Sequence, residues 1–214
     1  MLTAEKLHLV LTAEDGRPLV PTHHSTALAA AALADLRRAG VVALEEDAGV
    51  DRARVTVVSA GTTDHPVLDA LLPEADALSG KKVAAVVGKG RPRARKPVVA
   101  HLTETGELEE HKALLNTRHV PTSPTTRQEI LDRLSRALTE GGDPSDEDLL
   151  ILGVLHHLNV ARHLLPQARE QEASRREFTR RLERLTRDDL LVRSVGRAVG
   201  LTSATAAATA AQHS

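Results

Sequence analysis

The run LLILGVLHHLNVARHLL at residues 149–165 is apolar almost all the way round a helical wheel. A helix without a polar face has to be buried on every side, so the other elements must be arranged around it. Ser145 with Asp148 three residues on is close to a capping box, and Asp146 and Glu147 put negative charge at the positive end of the helix. The neighbouring segments have one apolar stripe each. Thr125 or Thr126 opens a helix carrying Ile130, Leu134 and Leu138, which stops at Gly141 and Gly142. Residues 170–185 form a charged helix with Phe178, Leu182 and Leu185 on one face, and Glu172 with Arg176 and Glu177 with Arg181 have the supportive i,i+4 order. Residues 190–195 extend that packing, whereas 197–211 are rich in Ala and Thr. The organisation read from this is one domain over 1–195, followed by a C-terminal helix or disordered tail at 196–214.

Phe178 is the only aromatic residue in 214, so the core has to be built from Leu, Val, Ala and Ile, which favours close helix packing. The chain has no cysteine, which excludes disulfides, thiolate chemistry and cysteine-ligated metals. The first ten residues are too short and too polar for a secretory signal, and no window approaches eighteen uninterrupted apolar residues. A cytoplasmic address follows, with any membrane contact made from the surface.

In the N-terminal half, residues 7–12 (LHLVLT) alternate like a short strand and lead into a turn at Glu14, Asp15 and Gly16. Ser25 or Thr26 caps a helix that runs to about Ala39, with Gly40 as its stop. The apolar stretches 41–44 and 55–58 read as a β-hairpin with a long charged connection. Thr63 or Asp64 before Pro66 starts another helix, which Pro73 interrupts to leave a second turn through Leu78. Residues 79–87 read as a short helix, GKGRPRARKP as a basic loop, and 97–105 as a helix ended by Gly106. Leu114 and Leu115, then Val120, complete a second hairpin or wing. The fold class is therefore mainly α: amphipathic helices around a central hydrophobic one, with short β-hairpins.

The residues offer little for catalysis. Gly88-Lys89-Gly90 has neither the GxxxxGK[ST] nor the GxGxxG spacing of a phosphate loop. Among eleven histidines, the adjacent pairs His23/His24 and His156/His157 point about 100° apart on a helix and cannot chelate together, while His156 and His163 share a face. There is no HExxH and no GxSxG elbow. The reading is of a protein that is not an enzyme and needs no metal or cofactor.

What stands out is charge. Seven basic residues and no acidic one lie between positions 81 and 96, in a chain of formal net charge -1. Lys89, Arg91, Arg93, Arg95 and Lys96 are the candidates for gripping an anionic headgroup, with Lys81 and Lys82 secondary. Arginine suits a fixed phosphate because its fork donates two hydrogen bonds at once. Such a stretch is a solvated turn, a seat for a phospholipid or other phosphoryl ligand, or a nucleic-acid contact. The short helix followed by a hairpin makes a winged-helix nucleic-acid binder the alternative, but residues 98–105 carry only His101 and Glu104 as ionisable side chains, so no nucleic-acid partner is expected.

The succession LHLVLTAEDGRP, ALADLRRAGVVAL, TTDHPVLDALL, RARKPVVAHLTETGEL, TRQEILDRLSRAL and DEDLLILGVLHHLNVARHLLP, over roughly residues 4–190, resembles the Golgi phosphoprotein 3 family, the GPP34 domain, and its bacterial, actinobacterial-type members in particular. The resemblance implies a single helical domain with a protruding hairpin, and a peripheral phosphoinositide-binding membrane adaptor on the cytoplasmic side, here the inner face of the cell membrane. It implies a phosphate pocket made by an aromatic residue and several arginines. Arg95 matches one of these, and Arg91 and Arg93 flank a second whose position is Pro92. The aromatic falls near Val20 or Pro21 and another arginine near Ala29, so neither is retained. The family hairpin corresponds to residues 108–121 and implies a homo-oligomer formed through it, although Leu114 and Leu115 stand at its tip without an aromatic.

Overall fold

The expected capping box forms: Ser145 Oγ accepts the Asp148 N–H at 3.2 Å, and Asp148 Oδ2 accepts the Ser145 N–H at 3.2 Å. It starts helix α7 (Asp146–His157), in which Leu150 to Leu155 are all buried. This is a computed structural model, and it describes residues 1–59, 61–112, 117–139, 142–166, 168 and 175–211. The apolar run does not continue as one helix to 165. Asn159 adopts φ 59°, ends α7, and a separate turn α8 (Ala161–Leu164) follows. His156 and His163 thus lie on different helices, and the shared face expected from their spacing is not formed.

A second helix shares the centre. In α2 (His24–Arg38) every residue from Thr26 to Leu36 is buried, because six positions of that stretch are Ala, small enough for neighbours to approach from all sides. Helix α1 (Thr3–Val10) packs across it. Asp35 of α2 accepts the Thr3 and Ala4 N–H groups at 3.1 and 2.9 Å, and so caps α1 from a neighbouring helix. The strand expected at 7–12 is therefore a helix for most of its length. Leu7, His8, Leu9 and Val10 are all buried, so α1 has no polar face to reveal its 3.6-residue period, and the apparent alternation misleads.

Strands β1 (Val42–Leu44) and β2 (Val55–Val57) form the first antiparallel hairpin, with Val42 opposite Val57. Helix α3 (Pro66–Asp76) passes through Pro73 without interruption, contrary to the sequence reading. Pro73 is on the exposed face of the helix. After α4 (Val83–Gly88), helix α5 begins at Arg95 rather than Pro97 and runs to Glu104. Pro97 fits there because first-turn N–H groups have no helical acceptor in any case. Gly106, at φ 79°, turns the chain into β3 (Leu108–Lys112), which pairs with β4 (Thr117–Pro121). The hairpin tip with Leu114 and Leu115 lies outside the described residues.

Helix α6 (Pro124–Ala137) is capped by Ser123, not Thr125 or Thr126, and buries Ile130, Leu131 and Leu134. The expected stop at Gly141 falls outside the described residues, as do residues 170–174 at the expected start of the next helix. Helix α9 (Arg175–Thr186) buries Phe178 and Leu182 and packs on α7. Helix α10 (Leu190–Ala211) starts at Asp189, whose Oδ1 accepts the Leu191 and Val192 N–H groups at 2.7 and 2.9 Å, and it packs on α4, α7 and α2. The result is a mainly α domain with two short antiparallel hairpins.

Candidate phosphoryl-binding site

The fold divides the basic stretch. After α4 the chain turns at Gly90, with φ 63°, and returns along α3. Glu74 of α3 holds it there. Its Oε2 accepts the Arg93 N–H at 2.7 Å, and its Oε1 lies 3.6 Å from Arg91 Nη1. Arg91 is thereby engaged in an internal ion pair and does not line the cavity described next. Lys81 and Lys82 do not line it either: the Lys81 carbonyl accepts the Val55 N–H at 2.9 Å, and Lys82 bridges to Arg54, so both sit against the β1–β2 hairpin.

Lys89, Arg93, Arg95 and Lys96 do converge, around a cavity of about 680 Å3. Ser25 and Leu28 of α2, Val99 and Ala100 of α5, and Thr117 and His119 of β4 complete most of its wall. None of the four cations has an ion-pair partner among the described residues, and none of the lining residues is acidic. Because α5 starts at Arg95, the segment expected to be a free loop ends in a helical first turn. No side chain caps that turn and it carries no acid. Its unserved N–H groups add the positive end of the α5 dipole to the four side-chain charges. The chemical complement of this wall is an anion with several oxygens.

Two histidines lie close to Arg95. His8 and His24 meet edge to face with ring centroids 5.1 Å apart. Burial lowers His8 to about 3 and His24 to about 4, and the Arg95 charge pushes both the same way. Both rings are neutral at neutral pH. Neither His24 ring nitrogen, nor His8 Nδ1, has a hydrogen-bond partner among the described residues.

One cluster has metal-like spacing among the described residues. Glu5, His65 and His101 bring ligand atoms within 4.8 Å of one another. His101 Nδ1 is 2.5 Å from Glu5 Oε1, and His65 Nε2 is 3.8 Å from Glu5 Oε2. However, Glu5 Oε2 also accepts the Leu2 N–H at 2.6 Å, and His65 Nδ1 accepts the Val67 N–H at 3.3 Å. That bond leaves the proton of a neutral His65 on Nε2, the atom a metal would need, whereas a ligating histidine donates its other N–H. The cluster acts as a polar clamp joining α1, α3 and α5. Burial lowers the His65 pKa, and the Glu5 charge works against that shift.

Sequence reasoning found four of the cavity's cations and missed Ser25, Thr117, His119 and the anchoring Glu74. The only signal for the strand residues was the Thr-Arg-His-Val pattern after the hairpin tip. Ser25 and Glu74 carry no local signal, since each matters only through a contact made far along the chain. Among the described residues no helix is long and apolar enough to cross a membrane. The family model described as Golgi phosphoprotein 3 (GPP34) matches residues 2–202. No curated protein sequence matches the chain.

Proposed function

Because the chain belongs to the Golgi phosphoprotein 3 (GPP34) family, we propose that it is a peripheral phospholipid-binding protein that seats a phosphoinositide-like headgroup at the start of α5 and acts as a membrane adaptor from the cytoplasmic face. The observation that supports this reading is the convergence of Lys89, Arg93, Arg95 and Lys96 with the uncapped α5 terminus around one cavity. The volume is in the range of ordinary ligand sites. Arg93 and Arg95 are the fork donors, Lys89 and Lys96 add charge, and Ser25 and Thr117 are the neutral donors that would orient a phosphoryl group. Arg91, Lys81 and Lys82 contribute long-range attraction to an anionic surface rather than contacts. The exposed strands of the β3–β4 hairpin are the surface through which a homo-oligomer would form.

Flotation with neutral, generally anionic and phosphoinositide-containing vesicles, run beside a duplex-DNA shift at matched salt, tests the proposal. The expected result is binding to the phosphoinositide vesicles above the generally anionic ones and no DNA shift. Arg93→Ala and Arg95→Ala should each weaken it about tenfold or more, the size of a charge-assisted hydrogen bond, while Arg91→Ala should weaken it little. Absence of binding to every vesicle would refute the proposal.

A further inference from the structure

Arg95, Val99, Thr117 and His119 line a second hollow as well as the first. It measures about 270 Å3 and is completed chiefly by His8, Arg17 and Arg118. The two spaces therefore share a wall, with Arg95 bordering both. Arg17 follows the turn at Gly16, which lies against β4. A Cβ on Gly16 would stand 2.6 Å from the His119 carbonyl oxygen, so only glycine, at φ 79°, lets this turn approach closely enough to bring Arg17 alongside Arg118. Among the described residues the only acidic group paired with these side chains is Asp15, 3.2 Å from Arg17 Nε, and both of those residues are exposed. Arg118 has no ion-pair partner among the described residues.

The second hollow also has a buried polar side. His8 is 4% exposed, lines the hollow, and has no partner for Nδ1 among the described residues. A buried polar atom without a partner is costly unless something satisfies it. His24, Arg95 and His119 lie around that ring, and burial, reinforced by the Arg95 charge, keeps it neutral, so it offers either a lone pair or an N–H without adding repulsion.

The geometry points to a ligand with two linked phosphoryl groups, one in each hollow, with Arg95 between them. This rests on the headgroup reading above and narrows its ligand class. The first hollow takes one phosphoryl group through Arg93, Lys96 and the α5 terminus. The second takes its partner through Arg17 and Arg118.

The test compares vesicles of phosphatidylglycerol with vesicles of diphosphatidylglycerol at equal total phosphate. Surface charge is matched, and only the linkage of phosphates in pairs differs. The full chain should float with the paired lipid at least about tenfold more tightly. Arg118→Ala and Arg17→Ala, both at exposed positions, should remove that preference, while phosphatidylglycerol binding falls only by the small amount that one exposed surface charge contributes. Arg93→Ala should weaken both. Competition by soluble glycerol 1,3-bisphosphate would place the ligand among free bisphosphates. A preference that survives the competitor would place it on lipid. Either supports paired-phosphoryl recognition. Equal binding of the two lipids, or equal loss on both with Arg118→Ala, would overturn this inference alone. Binding to neither would overturn the headgroup reading with it.

Discussion

Replacing Gly90 by alanine should damage both stability and the cavity, for separable reasons. Gly90 has φ 63°, a left-handed conformation that costs a residue with a Cβ about 1–2 kcal/mol. The new Cβ would also stand 2.9 Å from Ser25 Cβ and 3.4 Å from the Ser25 carbonyl carbon. Carbon atoms sit comfortably at about 3.5–4.0 Å, and overfilling of this kind costs about 1–3 kcal/mol. Rotating Ser25 gives no relief, because the atom met first is its Cβ, fixed by the backbone of α2. The sum is about 3 kcal/mol, a sizeable part of the stability of an ordinary domain but less than all of it. Urea denaturation followed by circular dichroism reads the cost as a lowered midpoint. Vesicle flotation reads the second effect: Gly90 and Ser25 both line the cavity, so pushing them apart moves Lys89 and Arg93, and binding should weaken about tenfold. Adding Ser25→Gly removes the overlap and leaves the left-handed strain, so it should restore roughly half of the lost stability. An unchanged midpoint in Gly90→Ala would refute the reasoning.

Two further outcomes follow from the core. His8 and His24 stay neutral in the folded chain down to about 3 and about 4, whereas in the unfolded chain each takes up a proton near its ordinary value of 6.5. Their folded values are depressed, so stability is complete above that ordinary value and falls by about 1.4 kcal/mol per pH unit per group below it, levelling once the folded values are passed. Asp35 and Asp189, raised by burial, act in the opposite sense and favour folding at acid pH. Urea midpoints should drop between pH 7 and pH 5, and a flat profile would contradict the assignment of two buried neutral rings. Gly153→Ala would place a Cβ 2.5 Å from both Val192 methyls where α7 crosses α10. It should lower stability by about 1–2 kcal/mol despite the better helix propensity of alanine, and Val192→Ala should recover part of the loss in a double-mutant cycle.

The parts of the fold legible in the sequence are those whose cause is local. Ser145, Asp148 and the acids between them make a helix start wherever the chain goes, and Gly40 and Gly106 end their helices through a backbone angle that glycine tolerates best. What misled was burial. Helix α1 is covered on every side, so Leu7, His8, Leu9 and Val10 carry no polar face and imitate a strand. Pro73 looked like a break because the sequence does not show that it falls on the exposed face of its helix. Asn159 divides the apolar run by adopting the left-handed conformation that asparagine tolerates, a local sign that hydrophobicity alone passes over. The candidate site was visible as charge but not as geometry. Nothing local to Arg91 tells that Glu74 takes it up, and nothing local to Ser25 tells that it closes on Gly90.

The same partition sets how this protein can hold a membrane. Phe178 is 2% exposed, and the large apolar side chains that the described residues expose are Met1, Val58 and Leu201, none of which lines the cavity. Among the described residues no exposed aromatic or large aliphatic side chain stands beside the candidate headgroup site, so these residues supply little binding energy by burying apolar surface in the acyl region. What they contribute comes from the cations. Lys89, Arg93, Arg95 and Lys96 are exposed, so their attraction to a surface is screened within about 8–10 Å at ordinary salt, while bidentate contacts to a headgroup seated in the cavity, as proposed, would be screened much less. Raising the salt should therefore strip nonspecific adsorption to generally anionic vesicles first and leave headgroup-specific binding comparatively intact. Flotation at two salt concentrations separates them. If both kinds of binding fall in parallel with salt, the cavity is only one more part of a basic surface, and its geometry does no recognition.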